Sequence, residues 1–189
     1  MIHSVTGVVL VGGKSTRMGK NKALLPYQGK NLVDAPIEKL SKIFSQVCLS
    51  VRDQEDLPEY NLRKIPDSYS DIGPIGGITS ILKAGITRAF CVACDMPFLN
   101  EELIKHLCSF ENFDAVIPVW KGREEMLHAV YSENLLPGFE TSIAAQKYKL
   151  KDVLGAARVR FVTEDEIGHF DPAGKMFQNV NSPSDYEKL

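Results

Sequence analysis

A short basic segment near the start of the chain has the residue types needed to bind phosphate. It begins with the adjacent glycines Gly12 and Gly13, and it carries four cations within nine residues: Lys14, Arg17, Lys20 and Lys22. Glycines let backbone N–H groups approach an anion closely, and the cations place positive charge around it. The segment follows an apolar run, and ligands of open α/β sheets bind beyond the carboxyl ends of strands. We therefore expect a phosphate-binding loop here.

This loop differs from two common phosphate-binding motifs. The triplet Gly13-Lys14-Ser15 resembles the end of a P-loop, but the first glycine of that motif would fall at Val8, inside the apolar run. A dinucleotide fingerprint starting at Gly12 would need glycines where Lys14 and Arg17 stand. Neither P-loop hydrolysis nor nicotinamide redox chemistry is favoured.

A second chemical candidate is Asp95, which directly follows the apolar run Phe90–Cys94. A carboxylate at the end of a buried strand suits Mg²⁺, which takes one or two protein oxygens and completes its shell with waters and substrate phosphates. The alternative is that Asp95 caps the next turn, because aspartate commonly initiates turns. The sequence predicts Asp95 as a metal ligand and leaves the capping role open.

The histidines and cysteines form no pattern typical of a catalytic or metal site. His3, His106 and His169 lack the spacing of metal ligands, and no hydrolytic triad is evident. Cys91 and Cys94 spell C-x-x-C, but they lie within an apolar strand pattern and have no second pair. We expect buried thiols at all four cysteines, Cys48, Cys91, Cys94 and Cys108.

The elements that must position these residues alternate between strand and helix patterns. Strands are predicted at Val5–Val11, Val47–Val51, Leu62–Ile65, Arg88–Cys94, Phe113–Val119 and His128–Tyr131, with an edge or antiparallel strand at Val159–Val162. Helices are predicted at Leu32–Phe44 with Asn31 as N-cap, at Ile75–Ala84 and Glu101–Ser109, and within Leu135–Ala145. The pattern predicts a three-layer α/β/α domain with a mostly parallel sheet.

Composition limits the classes of partner. The chain has 189 residues, 44% hydrophobic and 24% charged, with a formal net charge of −2. This size and composition predict one globular domain, residues 1–189, and the charge provides no basic field for a nucleic acid. No apolar run approaches bilayer length and no secretory signal is visible, so we expect neither a membrane partner nor export, and the cytoplasm as compartment.

Several motifs together resemble one family. The pattern G-G-x-S-x-R-M-G-x-x-K ending at Lys22 is similar to the signature of Rossmann-like nucleotidyltransferases, and the chain resembles the molybdenum cofactor guanylyltransferases within them. The further motifs, in the order that this family shows, are Pro66-Asp-Ser68, Gly73-Pro-Ile-Gly-Gly77, Cys94-Asp-Met-Pro97, Gly122–Tyr131 and Asn179–Pro183. The resemblance spans nearly the whole chain.

The resemblance implies transfer of GMP from GTP to molybdopterin, with Mg²⁺, giving the guanine dinucleotide form and pyrophosphate. Lys22, Arg17 and Asp95 would be catalytic. The implied nucleotide-binding residues, within a nucleotide part at 1–100, are Leu10, Val11, Gly12, Gly13, Lys22, Asp67, Gly73 and Asp95. Asp67 would read the guanine edge, with Asp71 as the alternative. The family's usual asparagine after the second strand is missing, which leaves Ser50 or Arg52 as substitutes for a ribose or base contact.

The acceptor is expected to lie over residues 101–189. Arg123, His128, Asn179 and Asn181 match the family's acceptor side, and side-chain amides suit the edge of a pterin ring. His128 could instead be a core residue, and the asparagines could stabilise the turn at Ser182-Pro183. The resemblance further implies transient contact with cofactor-delivery proteins or apo-molybdoenzymes.

Two other functions remain open at this point. One is a CTP-dependent cytidylyltransferase that acts on a pterin or a small alcohol phosphate. The other is a catalytically silent nucleotide-binding protein. The presence of both Lys22 and Asp95 argues against the silent protein, and the choice of base separates the two enzymes.

Overall fold

The computed structural model describes residues 1–11, 22–52, 57–69 and 71–180. The strands are β1 (Thr6–Leu10), β2 (Pro26–Tyr27), β3 (Lys30–Asn31), β4 (Val47–Val51), β5 (Arg63–Pro66), β6 (Arg88–Ala93), β7 (Ala115–Trp120), β8 (Arg123–Glu124), β9 (His128–Ser132) and β10 (Val159–Val162). The helices are α1 (Asp34–Ile43), α2 (Pro74–Lys83), α3 (Glu101–Cys108), α4 (Leu136–Ala144), α5 (Leu150–Val153) and α6 (Glu164–Gly168), and short 3₁₀ turns include Lys22–Leu24 and Lys175–Phe177.

One mostly parallel sheet organises the molecule. Its strand order is β10-β7-β9-β6-β1-β4-β5, with β8 paired to β7, while β2 and β3 form a separate antiparallel ribbon. β1 is parallel to both β4 and β6, and β7 is parallel to β10. β9 runs antiparallel to β6 and β7. The carboxyl ends of β1, β4, β5, β6 and β7 therefore face the same edge of the sheet.

Helices cover both faces of the sheet, which confirms the predicted three layers. Val8 and Val9 are both fully buried but belong to opposite apolar clusters, because successive residues of a strand face opposite sides. Val9 packs in the cluster that includes residues of α1 and α3, and Val8 in the cluster that includes α2 and α4. A strand buried on both sides must be apolar throughout, which explains the uninterrupted run in β1.

The start of α1 differs from the prediction. The helix begins at Asp34 with Val33 as its N-cap, whereas Asn31 lies in β3 and its backbone N–H donates to an Asp34 carboxylate oxygen at 2.8 Å. The reason is that the N–H groups of Leu32 and Val33 donate to the carbonyls of Leu25 and Ala23. Those bonds hold the segment beside the 3₁₀ turn at Lys22–Leu24 instead of in the helix.

The edges of the sheet add further detail. β10 is an edge strand, as predicted, and it runs parallel to β7. The ribbon of β2 and β3 and the two-residue strand β8 were not predicted. No helix among the residues described is long and apolar enough to cross a membrane.

Candidate active site

The site lies where β1 and β6 end side by side. The pairing of these strands continues past their last residues, since the backbone N–H of Cys94 donates to the Leu10 carbonyl at 3.1 Å. On the other side, the N–H of Val11 donates to the Ser50 carbonyl at 2.8 Å. The predicted nucleotide-binding positions Leu10 and Val11 are therefore central at this edge. Gly12, Gly13 and Arg17 lie outside the described residues.

The ammonium group of Lys22 and the carboxylate of Asp95 are in direct contact at this edge, as an ion pair to Oδ2. Their side chains are 22% and 13% exposed, so solvent screens the pair only in part. Local contacts position the backbone of both residues. Lys22 begins the 3₁₀ turn anchored by the fully buried Ala23, and the Asp95 carbonyl accepts the Val180 N–H at 2.8 Å.

Asp95 has one carboxylate oxygen suited to a metal ion. Its Oδ1 is buried and has no hydrogen-bond partner in the described part of the chain, which is costly for a polar atom unless a ligand satisfies it. The residues described contain no group of three or more acidic, histidine or cysteine side chains that could hold a metal by themselves. A single carboxylate fits Mg²⁺, which takes one or two protein oxygens and completes its shell with waters and substrate phosphates.

Asp67 is held against α2 beside the end of β5. Its Oδ1 accepts the Tyr69 N–H at 2.9 Å and faces the Ser80 hydroxyl at 3.2 Å. Burial raises the pKa of Asp67, and these hydrogen bonds act against that shift. A Cβ on Gly76 would lie 3.0 and 3.1 Å from the two Asp67 oxygens, so only glycine leaves this space open. The Asp67 carboxylate is thus held in one orientation beside α2.

The neighbouring candidates are placed less favourably. Asp71 forms an ion pair of 2.8 Å with Arg52, and about half of each side chain is exposed. Ser50 is only 2% exposed, with its hydroxyl enclosed beside Gly77 of α2. The structure therefore does not offer Ser50 for a ribose contact. Gly73 precedes α2 with φ at +80°, a conformation that favours glycine, and it turns the chain into the helix.

The predicted acceptor residues separate in the structure. Arg123 is exposed in β8 and lines a pocket of about 420 Å³, together with Trp120, Lys121, Glu125, Ala173, Gly174, Phe177 and Gln178. Asn179 is exposed directly after Gln178. Asn181 lies outside the described residues. Arg123 and Asn179 are thus available to an acceptor.

His128 is not available to an acceptor in this structure. Its side chain has no exposed area, and the rings of Phe90 and Phe177 contact it edge-on, each at a centroid distance of 5.2 Å. Both imidazole nitrogens lack hydrogen-bond partners among the described residues. Burial lowers the pKa of His128 to about 3, so the ring is neutral. The expected acceptor contact is replaced by the core position that the sequence left as the alternative.

The cysteines are core thiols. All four are free and buried, and burial raises the pKa of Cys48, Cys94 and Cys108 to about 12. A thiolate is therefore disfavoured at neutral pH, and the four cysteines are buried thiols as predicted.

Sequence reasoning missed Trp120, Glu125 and Ser80. Ser80 looked like an ordinary small residue inside an apolar helix, and its role depends on the distant Asp67. Trp120 and Glu125 come together only through the β7–β8 turn. The consecutive residues Glu124 and Glu125 were a local sequence signal for this pocket, because charged side chains are uncommon so close to a fully buried strand such as β9.

A doubly covered, mostly parallel sheet with a lysine–aspartate pair at its carboxyl edge is the arrangement of a nucleotidyltransferase of Rossmann-like fold. The sequence model of the MobA-like NTP transferase domain family matches residues 7–161 of this chain, and the chain belongs to that family. Its curated relatives include a probable molybdenum cofactor guanylyltransferase of Methanosarcina mazei, which is 36% identical over 97% of this chain and 89% of the relative. A protein of the same description from Pelotomaculum thermopropionicum is 35% identical, covering 97% and 90%.

Solved structures agree with this membership. Molybdopterin-guanine dinucleotide biosynthesis protein A from Archaeoglobus fulgidus has a TM-score of 0.84 at 28% identity, over 97% of this chain and 96% of that one. A 4-diphosphocytidyl-2C-methyl-D-erythritol synthase from Anaerococcus prevotii has a TM-score of 0.69 at 12% identity, covering 97% and 93%, and shares the fold alone.

Proposed function

We propose that this protein transfers GMP from GTP to the terminal phosphate of molybdopterin cofactor, releasing pyrophosphate and forming the guanine dinucleotide. The names of the relatives from Methanosarcina mazei and Pelotomaculum thermopropionicum support this reaction. The single structural observation that carries it is the contact between Lys22 and Asp95 at the carboxyl edge of β1 and β6. Residues 1–100 would bind the nucleotide and residues 101–189 the acceptor.

The reaction needs charge neutralisation more than it needs a protein nucleophile. An acceptor phosphate oxygen attacks the α-phosphorus of GTP, the bond to the bridging oxygen breaks, and pyrophosphate leaves with the negative charge. The acceptor is already an anion, so no covalent enzyme intermediate is required. Lys22, at the carboxyl edge of β1 and β6, would stabilise the triphosphate, and Arg17, Gly12 and Gly13 would add donors.

Asp95 would hold Mg²⁺ through its unpartnered Oδ1, and the bound ion would neutralise phosphate charge. Without the ion, Lys22 neutralises Oδ2 of the same carboxylate. Leu10 and Val11 keep the edge ordered by their backbone bonds to β6 and β4. Lys22 and the bound ion would thus place positive charge beside the leaving pyrophosphate.

Asp67 would select guanine. The guanine edge presents N1–H and an exocyclic amino group as neighbouring donors, and a carboxylate accepts both. The oriented carboxylate beside the Gly73–Gly77 turn supports Asp67 over Asp71, which is engaged with Arg52. Gly73 would let the chain turn closely around the base.

We place the enzyme in the cytoplasm. Four free buried cysteines suit the reducing cytoplasm, and a labile acceptor favours transient contact with proteins that deliver it or receive the product.

Incubation with molybdopterin, Mg²⁺ and each of GTP, CTP, ATP and UTP tests the reaction. The mass of the product should identify the guanine dinucleotide when GTP is present. The rate of pyrophosphate release should be at least tenfold lower with CTP, ATP or UTP. Preference for CTP would contradict the base assignment. Nucleotide binding without turnover for any triphosphate would indicate a silent protein.

A further inference from the structure

The pocket beside β7 and β8 has the lining expected for a flat, polar ring. Two aromatic side chains, Trp120 and Phe177, line it together with the amide of Gln178 and three charged residues, Lys121, Arg123 and Glu125. Its volume of about 420 Å³ is within the range of small-molecule sites. The sequence pointed to Arg123 in this region but gave Glu125 no role.

The pocket and Asp95 lie at the same edge of the sheet. β7 and β6 run in the same direction, so Trp120 at the end of β7 is on the side of Asp95. Gln178 lines the pocket, and two residues later the N–H of Val180 donates to the Asp95 carbonyl at 2.8 Å. Two extended residues span roughly 7 Å. A ligand with its ring in the pocket would therefore have its other end near the reacting phosphates.

The aromatic residues of the pocket wall are closely packed. The rings of Trp120 and Phe177 lie 6.0 Å apart with an interplanar angle of 37°. Gly174 packs so closely on the indole that a Cβ there would lie 2.1 Å from the Trp120 ring. Gly174 also has φ at +62°, which favours glycine, so two independent constraints require glycine at this position beside Trp120.

Glu125 places a carboxyl group, which can accept hydrogen bonds, in this pocket. Its side chain is half-buried, and no residue of the described chain donates a hydrogen bond to its carboxyl. Burial raises the pKa of Glu125, and nearby Arg123 acts against that shift and favours the carboxylate. The backbone is fixed, since the Glu125 N–H donates to the Pro118 carbonyl and its own carbonyl accepts the His128 N–H. A carboxylate in this setting suits a ligand with paired donors.

We infer that Glu125 recognises the aminopyrimidinone edge of a pterin acceptor, while Trp120 and Phe177 form the apolar wall against which its ring lies. This inference rests on the proposed function and names the residue that selects the acceptor. A pterin presents its ring N3–H and its 2-amino group side by side, the same donor pair that guanine presents. Asp67 would thus recognise the guanine ring of GTP, and Glu125 would recognise the pterin ring of the second substrate.

The test uses the fact that Trp120 is the single tryptophan of the chain. Pterin and lumazine, which carries a carbonyl in place of the 2-amino group, are titrated separately against the full chain, with binding followed by the Trp120 fluorescence lifetime and by equilibrium dialysis. Pterin should bind at least tenfold more tightly than lumazine, because the lumazine oxygen would face the carboxylate. Equal affinity, or no pterin binding, would overturn the inference.

Glu125→Gln should reduce that preference to less than threefold, because one carboxamide cannot accept both hydrogens. Glu124→Gln is the matched control, since Glu124 is an exposed neighbour outside the pocket lining, and it should keep the preference. In turnover, E125Q should raise KM for molybdopterin about tenfold and leave KM for GTP unchanged. An unchanged KM for molybdopterin in E125Q would overturn the inference.

The two proposals fail in different ways. If GTP and molybdopterin give no dinucleotide, the proposed reaction fails, whereas pterin selectivity in the binding assay still decides the role of Glu125. If the dinucleotide forms but E125Q behaves like the wild type, the reaction stands and the inference about Glu125 is wrong.

Discussion

The side chains of Lys22 and Asp95 are in contact although they are 73 residues apart in the sequence. Parallel pairing of β1 with β6 brings their chain segments to one edge, and the carboxyl group of Asp95 then bonds Lys22 through Oδ2 while Oδ1 stays without a partner in the described structure. One oxygen is thus paired with a cation, and the other is free for a second one.

Replacement of Lys22 by alanine should reduce nucleotidyl transfer by about 10²- to 10³-fold, because a positioned cation opposite the triphosphate is lost. Lys30→Ala is the control, since Lys30 also contacts a carboxylate, that of Glu38, but on the exposed surface. Steady-state rates and circular dichroism check both. Wild-type rates in K22A would contradict the catalytic role.

Replacement of Asp95 by asparagine should remove the Mg²⁺ dependence of GTP binding. The carboxamide has lost the charge that holds the metal ion, so turnover should fall at least 100-fold, as it should when a chelator removes divalent cations. Calorimetric titration of GTP at several Mg²⁺ concentrations measures this. Asp152→Asn, at an exposed position of α5, should retain the wild-type dependence. Full metal dependence in D95N would exclude Asp95 as the ligand.

Replacement of Gly76 by alanine should weaken recognition of GTP. The new Cβ would lie 2.9 Å from the Tyr69 carbonyl and 3.0 Å from the nearer Asp67 oxygen, so Asp67 must move. We expect KM for GTP to rise about tenfold and the preference over ATP to shrink. In Gly168→Ala the new Cβ meets nothing within 4 Å, so both quantities should stay unchanged. Normal base preference in G76A would show that Asp67 does not read the base.

The buried His128 should make the fold sensitive to acid. Its pKa is lowered from 6.5 to about 3 by burial, so between these pH values the unfolded chain binds a proton that the folded chain excludes. The contribution of neutral His128 to the free energy of unfolding is therefore full above pH 6.5, and it is lost as the pH decreases toward 3. His128→Leu should reduce the loss between about pH 7 and pH 5 by about 2 kcal/mol.

Urea unfolding at the two pH values measures that difference. His3→Leu is the control, because His3 is exposed and its removal should leave the pH dependence unchanged. An acid sensitivity in H128L equal to that of the wild type would show that His128 becomes protonated without unfolding.

The parts of the fold that the sequence predicted are those with a repeating local pattern. The continuous apolar run around Val8 and Val9 identified a strand buried on both faces, and the abrupt change to Asp95 after such a run identified the edge of the site. Helix α2 was found with its start displaced by one residue. These features depend on residues that are close together in the chain.

The parts that the sequence did not predict depend on contacts between distant segments. Asn31 was expected to cap α1, but bonds from Leu32 and Val33 to the segment at Lys22–Leu24 hold it in a ribbon. His128 is buried because Phe177, far along the chain, covers it. The pocket lined by Trp120 likewise needs the β7–β8 turn to meet the backbone at Gly174.

The most direct test of the central claim is a crystal structure of the protein with GTP and Mg²⁺. We expect the triphosphate at the carboxyl edge of β1 and β6, with the Lys22 ammonium on its phosphates, a metal ion on Oδ1 of Asp95, and the guanine edge on Asp67. A triphosphate bound elsewhere, with Lys22 and Asp95 still paired and no metal ion between them and the phosphates, would contradict the account.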